Sequence, residues 1–241
     1  MREESMSSFQ RAVPVLQVVN YRNNGGVKKM IRFRVFAALV LMSLTVVGAM
    51  AQKPQQPPPD YFPLRVGDWW EYRSTTADGK QSEFTMKVLS EDKQADGTNQ
   101  YLMETLTTFQ PINDWYSKPS GQVLMHRIAY PKNEALKADY QPVKLYLKNP
   151  LVVGATWEWK GKGMMGVDIE ESSRVTATEM VEVPAGKFQA MKVETKVIQG
   201  GTPVTKTYWF ANWIGMVKSM SDTGSVKSTT ELIDYSFKKN K

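Results

Sequence analysis

The chain of 241 residues has no cysteine and one histidine, His126. The first absence excludes disulfides, thiolate metal sites and a lipid anchor on a cysteine behind an export signal. The second excludes a multi-histidine metal site within the chain and argues against histidine-based triads. The sequence also lacks G-x-S-x-G, H-E-x-x-H, a Walker loop and a dinucleotide fingerprint. No catalytic residue, metal site or cofactor is therefore assigned, and the expectation is a protein that is not an enzyme. Long apolar runs are scarce as well. The one that stands out, the uncharged stretch Val35–Ala51, has seventeen residues and sits at the bottom of the membrane-spanning range.

That stretch has a different explanation. Lys28, Lys29, Arg32 and Arg34 precede it, and Ala49 and Ala51 offer small residues where a signal peptidase reads. A basic start, an apolar middle and a small-residue end make a secretory signal, with cleavage expected before Gln52. Met30 is favoured as initiator over Met1, and residues 1–51 are excluded from the fold. An uncleaved signal would be the one membrane attachment, and the positive-inside rule places 52–241 outside the cytoplasm either way. The expected location is the periplasm or the extracellular space of a bacterial envelope. Residues 1–51 carry seven of the 31 Lys and Arg and two of the 24 Asp and Glu, which leaves 24 against 22 and a net charge of +2. The basic excess belongs to the leader, so nucleic acid is not an expected partner.

What remains is rich in aromatics and in two-residue periodicity. Lys53–Pro59 makes 52–60 a Pro-rich linker, read either as a stalk or as a loose N-terminus. From Tyr61 onward the pattern is β. Phe84, Met86 and Val88 alternate with polar neighbours, as do Val143, Leu145 and Leu147, then Met191, Val193, Thr195 and Val197, and finally Ile233, Tyr235 and Phe237. Turn chemistry separates the runs at Asp78-Gly79, Asp96-Gly97, Gly200-Gly201 and Thr223-Gly224. Only Lys132–Tyr140 reads as a short helix. An internal repeat is more specific: PLRVGDWWEYR at 63–73 and PLVVGATWEWK at 150–160 share six identities in eleven positions. The expected fold is all-β, a curved antiparallel sheet or partial barrel of two related β-meanders, forming a single domain over 61–241 with repeats at 61–130 and 148–237.

Each candidate site has a functional and a structural reading. Trp70 and Tyr72 share one strand face, and Trp157 and Trp159 share the equivalent one. They are either walls of a concave apolar site or core between sheet layers. Glu71 and Glu158 face the other way, as a carboxylate pair or as solvated acids. His126 is a base or a hydrogen-bonded strand residue. Asp168, Glu170 and Glu171 are a hard-cation site or solvated acids. Gly161–Gly166, with Met164 and Met165, is a mobile gate or a hairpin loop.

The segment Thr207–Lys218 (TYWFANWIGMVK) resembles a Y-W-[FY]-A-x-x-[IV]-G-[ML]-V-[KR] motif of uncharacterised exported bacterial β-proteins. In those it follows a V-P-A-G-x-[FY] turn, here Val183–Phe188, and many open with F-P-L-x-V-G-x-x-W-x-Y, here Phe62–Tyr72. Such proteins are similar in outline to the Lol-type lipoprotein carriers, whose curved sheet holds acyl chains under a helical lid. The resemblance implies a fold and assigns no catalytic residue. The leading expectation is an exported domain binding an apolar or amphiphilic ligand, such as lipid, in the concavity of its sheet. The binding candidates are Trp70, Tyr72, Trp157, Trp159 and Trp209. The rival is an envelope structural or protein-interaction module with no small ligand. Oligomeric state is left open. N-terminal sequencing of the exported protein is expected to begin at Gln52; an intact Met30 or Met1 would reject cleavage.

Overall fold

The protein is described by a computed structural model over residues 57–237. The export signal, the choice between Met1 and Met30, and Lys53–Gln56 of the linker lie outside these residues. Twelve strands follow in chain order: β1 (Trp69–Thr76), β2 (Gln81–Lys93), β3 (Asn99–Leu106), β4 (Pro111–Ser117), β5 (Gln122–Tyr130), β6 (Asn133–Lys148), β7 (Thr156–Lys162), β8 (Asp168–Val183), β9 (Gly186–Gln199), β10 (Thr202–Ala211), β11 (Gly215–Asp222) and β12 (Lys227–Tyr235). Two single turns of 3-10 helix occupy Pro119–Gly121 and Met164–Gly166, and there is no α-helix among the described residues.

All twelve strands form one antiparallel sheet in the order β6-β5-β4-β3-β2-β1-β12-β11-β10-β9-β8-β7. The chain starts in the middle, walks outward to one edge, crosses to the other edge and walks back. The β1–β12 ladder, from Trp70↔Tyr235 to Thr76↔Ser228, joins the two meanders. The result is a nearly closed, barrel-like sheet whose seam lies between β6 and β7. Those two strands share no ladder. Side chains span the seam instead: the Trp159 indole N–H of β7 donates to the Pro142 carbonyl of β6 at 2.9 Å, and Lys144 of β6 pairs with Glu171 of β8 at 2.6 Å. Trp159 folds back over its own strand, a close approach that only Gly161, with no Cβ, permits.

The repeat in the sequence is a repeat in the backbone. Gly67 and Gly154 have φ of 93° and 90°. The Gly67 amide donates to Val88 and the Gly154 amide to Val175, both at 2.9 Å. Trp70 and Trp157 are 4% and 6% exposed at the matching positions. The first meander includes β6, so the stretch 131–147 between the expected repeat boundaries belongs to it.

Three local expectations are corrected. Lys132–Tyr140 is not helical but opens β6. Its residues are good helix formers, yet Ala138 and Tyr140 turn inward and Asp139 turns outward to meet Arg127 of β5, so strand pairing overrides propensity. In β6 the face of Val143, Leu145 and Leu147 is not uniform. A bulge opposite Val123/Leu124 re-aims the strand, leaving Val143 40% exposed while Leu147 is 1% exposed. In β12 a bulge at Ile233 brings Leu232 into the core opposite Tyr72.

One end of the barrel is plugged by the segment after the linker. The Asp60 carboxylate accepts from Lys118 at 2.6 and 2.8 Å and from Asn149 at 2.9 Å, and Asn149 in turn accepts from the Tyr61 amide at 2.9 Å. This seats Phe62 against Tyr116 and Tyr146, with ring centroids 5.0 and 5.4 Å away. Pro57, Pro58 and Pro59 ahead of it are exposed.

Because nothing lies within 4 Å of a Cβ added at Gly67 or Gly154, substitution there tests the backbone alone. Gly67→Ala and Gly154→Ala are each expected to cost about 1–2 kcal/mol in chemical denaturation, and equally, since an L-residue resists positive φ. Costs that differ by more than that would break the equivalence of the two repeats.

Candidate functional site

The five aromatic candidates do not converge on one site. Trp70 and Tyr72 point inward from β1 and line a gap of about 40 Å³ with Phe62, Met86 and Met103. Their polar tips are used structurally: the Trp70 indole donates to the Ile214 carbonyl at 2.7 Å and the Tyr72 hydroxyl to the Met216 carbonyl at 2.8 Å. Trp159 serves the seam and meets Tyr140 edge-on at 5.3 Å. Trp209 lies on the outer face, in register with Lys192 and Lys218; its indole donates to Glu179, and the Lys192 ammonium sits 5.8 Å from the ring. Trp157 alone of the five lines the larger interior cavity.

That cavity has a volume of about 150 Å³ and lies where β6 meets β7 to β10. Its lining is mixed: Met125, Leu147, Trp157, Val193 and Phe210 are apolar, and Tyr140, Lys144, Tyr146, Glu171, Lys206 and Tyr208 are polar or charged. Strand alternation explains the polar members. In β10, Lys206, Tyr208 and Phe210 share the inner face, as Lys206↔Thr195 and Tyr208↔Val193 match inward residues of β9. In β6, Lys144 faces Met125, an inward residue of β5. Ser173 and Thr195 at the cavity floor hydrogen-bond each other at 2.9 Å.

The interior carries ionisable groups as well as rings. Lys144 and Glu171 are paired with side chains 12% and 16% exposed, and the Lys144 ammonium lies 5.4 and 5.7 Å from the Trp159 and Tyr140 rings. Burial pushes the tyrosine hydroxyls of Tyr116, Tyr140, Tyr146 and Tyr208 well above their ordinary value, so they stay neutral donors. Burial also lowers the Lys206 pKa. Deeper in, Asp114 is 8% exposed, its Oδ1 has no hydrogen-bond partner, and desolvation raises its pKa to about 7 against the opposing pull of Lys144.

The remaining candidates resolve more simply. Glu71 and Glu158 leave the outer face from strands six ladders apart, so they form no carboxylate pair. His126 lies 2.7 Å from Ser117 Oγ, and Ser117 is 3% exposed, out of reach of a substrate. Burial lowers the His126 pKa. Asp168 and Glu170 pair on the surface with Lys162 and Lys160, whereas Glu171 turns inward; the acidic run is therefore divided between two faces. No cluster of His, Asp and Glu able to hold a metal occurs among the described residues. In the Gly161–Gly166 segment, Met164 packs on the core and Met165 is 81% exposed. Sequence reasoning missed Asp114, Lys144, Glu171 and Lys206 as interior residues. The one available signal was period: Lys206, Tyr208 and Phe210 alternate as a strand face.

Residues 121–232 match the family model described as DUF3108-like. No curated protein matches the chain. Among solved structures it is similar to a candidate exported protein with a YmcC-like fold from Bacteroides fragilis, at 18% identity over 74% of this chain and 99% of that one, with a TM-score of 0.51. It is also similar to a candidate lipoprotein from Parabacteroides distasonis (13% identity, 75% and 100% covered, TM-score 0.49) and to the hypothetical lipoprotein YmcC from Escherichia coli (9%, 88% and 98%, TM-score 0.36). The first likeness is one of fold alone.

Asp114 gives a pH test. With its carboxyl raised from near 4 to about 7 in the fold, the native state binds more protons than the unfolded chain between those values. Stability should therefore fall as pH rises from about 4 to 7 and stay reduced above. Asp114→Asn is expected to flatten that fall and to gain about 2–4 kcal/mol above pH 7. An unchanged pH profile of denaturation would mean that the carboxyl is solvated in the folded protein.

Proposed function

We propose that the chain is an exported, non-enzymatic binding domain of a bacterial envelope that holds a small amphiphilic molecule inside its barrel. The observation that carries this reading is the interior cavity of about 150 Å³, lined by both apolar and polar side chains. The export signal read in the sequence supports the location, as does the description of the Bacteroides fragilis neighbour as exported.

The volume limits the ligand. Ordinary small-molecule pockets span about 300–1,000 Å³, and a cavity near 150 Å³ admits a molecule about the size of benzene. A long acyl chain is therefore a poor fit, and the lipid expected from the sheet concavity gives way to a smaller amphiphile. The likeness to Lol-type carriers weakens on a separate ground, since no α-helix among the described residues could serve as their lid. A structural module with no ligand is the second reading. Its supporting observation is the space beside Trp70 and Tyr72, which is filled to within about 40 Å³.

Benzyl alcohol is a suitable first probe. A ring burying about 150 Å² contributes roughly 4 kcal/mol, which corresponds to a Kd of about 1 mM. Titration is expected to give a saturable change in tryptophan fluorescence, reported by Trp157. Val193→Phe should fill the cavity and abolish the change while retaining a cooperative thermal transition. No saturable change in the parent protein would leave the structural module as the better reading.

A further inference from the structure

We infer that the polar end of this ligand is an anion received by Lys206, and that the ligand class is a small monocarboxylate with an aromatic or short aliphatic body. The inference rests on the binding reading above and adds the chemistry of the head group.

Three observations support it. Lys206 projects from the inner face of β10 into the cavity, largely buried, with no hydrogen bond or ion pair to any described residue. The nearest carboxylate in the cavity wall, Glu171, is already engaged by Lys144 at 2.6 Å. Within the lining two ammonium groups thus meet one carboxylate, an excess of one positive charge, while desolvation holds Asp114, behind the lining, toward its neutral form. A buried ammonium without a partner is costly, so the empty side of the cavity is where a counter-charge gains most. Second, Tyr140, Tyr146 and Tyr208 line the same cavity. Burial keeps them protonated, so they can donate to a carboxylate that Lys206 anchors. Third, the apolar part of the lining, Trp157, Val193 and Phe210 among it, takes a flat or short apolar body. One excess charge matches a monoanion; a dianionic phosphate would bring a second negative charge with no cation to meet it.

The test compares benzoate with benzyl alcohol, which have nearly the same shape and differ in charge, using tryptophan fluorescence and the thermal transition of the mature protein. Benzoate is expected to bind at least about tenfold more tightly, the gain of a charge-assisted hydrogen bond. Lys206→Met should remove that advantage, so that the two probes bind about equally; Lys206→Arg should retain part of it. Benzyl alcohol binding with no preference for benzoate in the parent protein would overturn the anion assignment and leave the binding reading standing. A preference for benzoate that survives in Lys206→Met would overturn the role of Lys206. Binding of neither probe would overturn both.

Discussion

A sheet of twelve strands that curls until its edges approach encloses more room than aliphatic side chains fill. Eight strands make an interior just wide enough for side chains, and larger barrels leave space. Everything distinctive in this protein answers that constraint. The inner face carries large rings rather than valine and leucine alone: Trp70, Tyr72, Tyr116, Tyr140, Tyr146, Trp157, Tyr208 and Phe210. A segment outside the sheet, Phe62 to Leu64, is folded into one end as a plug and held there by Asp60, Lys118 and Asn149. What these leave over is the cavity beside the seam. The binding site proposed here is thus a remainder of barrel geometry, placed where the two meanders fail to zip together.

The seam follows from the duplication. Each meander has two edges. The β1–β12 ladder satisfies one from each, and β6 and β7 retain the others. An unpaired strand edge invites pairing with another chain, and proteins blunt such edges with charge, proline and covering side chains. Here Pro142, Lys144 and Trp159 stand at the edge, and all three bond across it, Trp159 to Pro142 and Lys144 to Glu171. The same residues that protect the seam bring a charged pair into the interior. Edge protection and a polar cavity wall are therefore one feature with two consequences.

A polar interior has a thermodynamic cost. The Lys144–Glu171 pair is covered by rings on one side and must be desolvated to form, so its net contribution to stability is small even with good geometry. Asp114 and Lys206 lack such partners and oppose folding more directly. A barrel selected for stability alone would have apolar residues at these places. That they are ionisable is the strongest sign that the interior serves something besides packing.

The sequence by itself determined the class of the fold, the repeat and the face on which most side chains lie. Alternation in Phe84–Val88 and Met191–Val197 reports a local backbone period, and the P-L-x-V-G-x-x-W-E match reports two copies of one local conformation, down to the positive φ of Gly67 and Gly154. Local information suffices for such features because they repeat within a few residues. It failed at Lys132–Tyr140, where helix propensity lost to a neighbouring strand, and at β6 and β12, where bulges reversed the facing of Val143 and Leu232. It also grouped five aromatics that the fold separates: Trp209 faces outward, and the others share a side of the sheet but not a place along the barrel. The cavity and its charges were decided only by tertiary structure. Lys144, Glu171 and Lys206 lie on three strands, and Lys144 and Glu171 meet across a seam that carries no backbone hydrogen bonds. Their proximity depends on how far a twelve-strand sheet curls, a long-range property that no short stretch of sequence records.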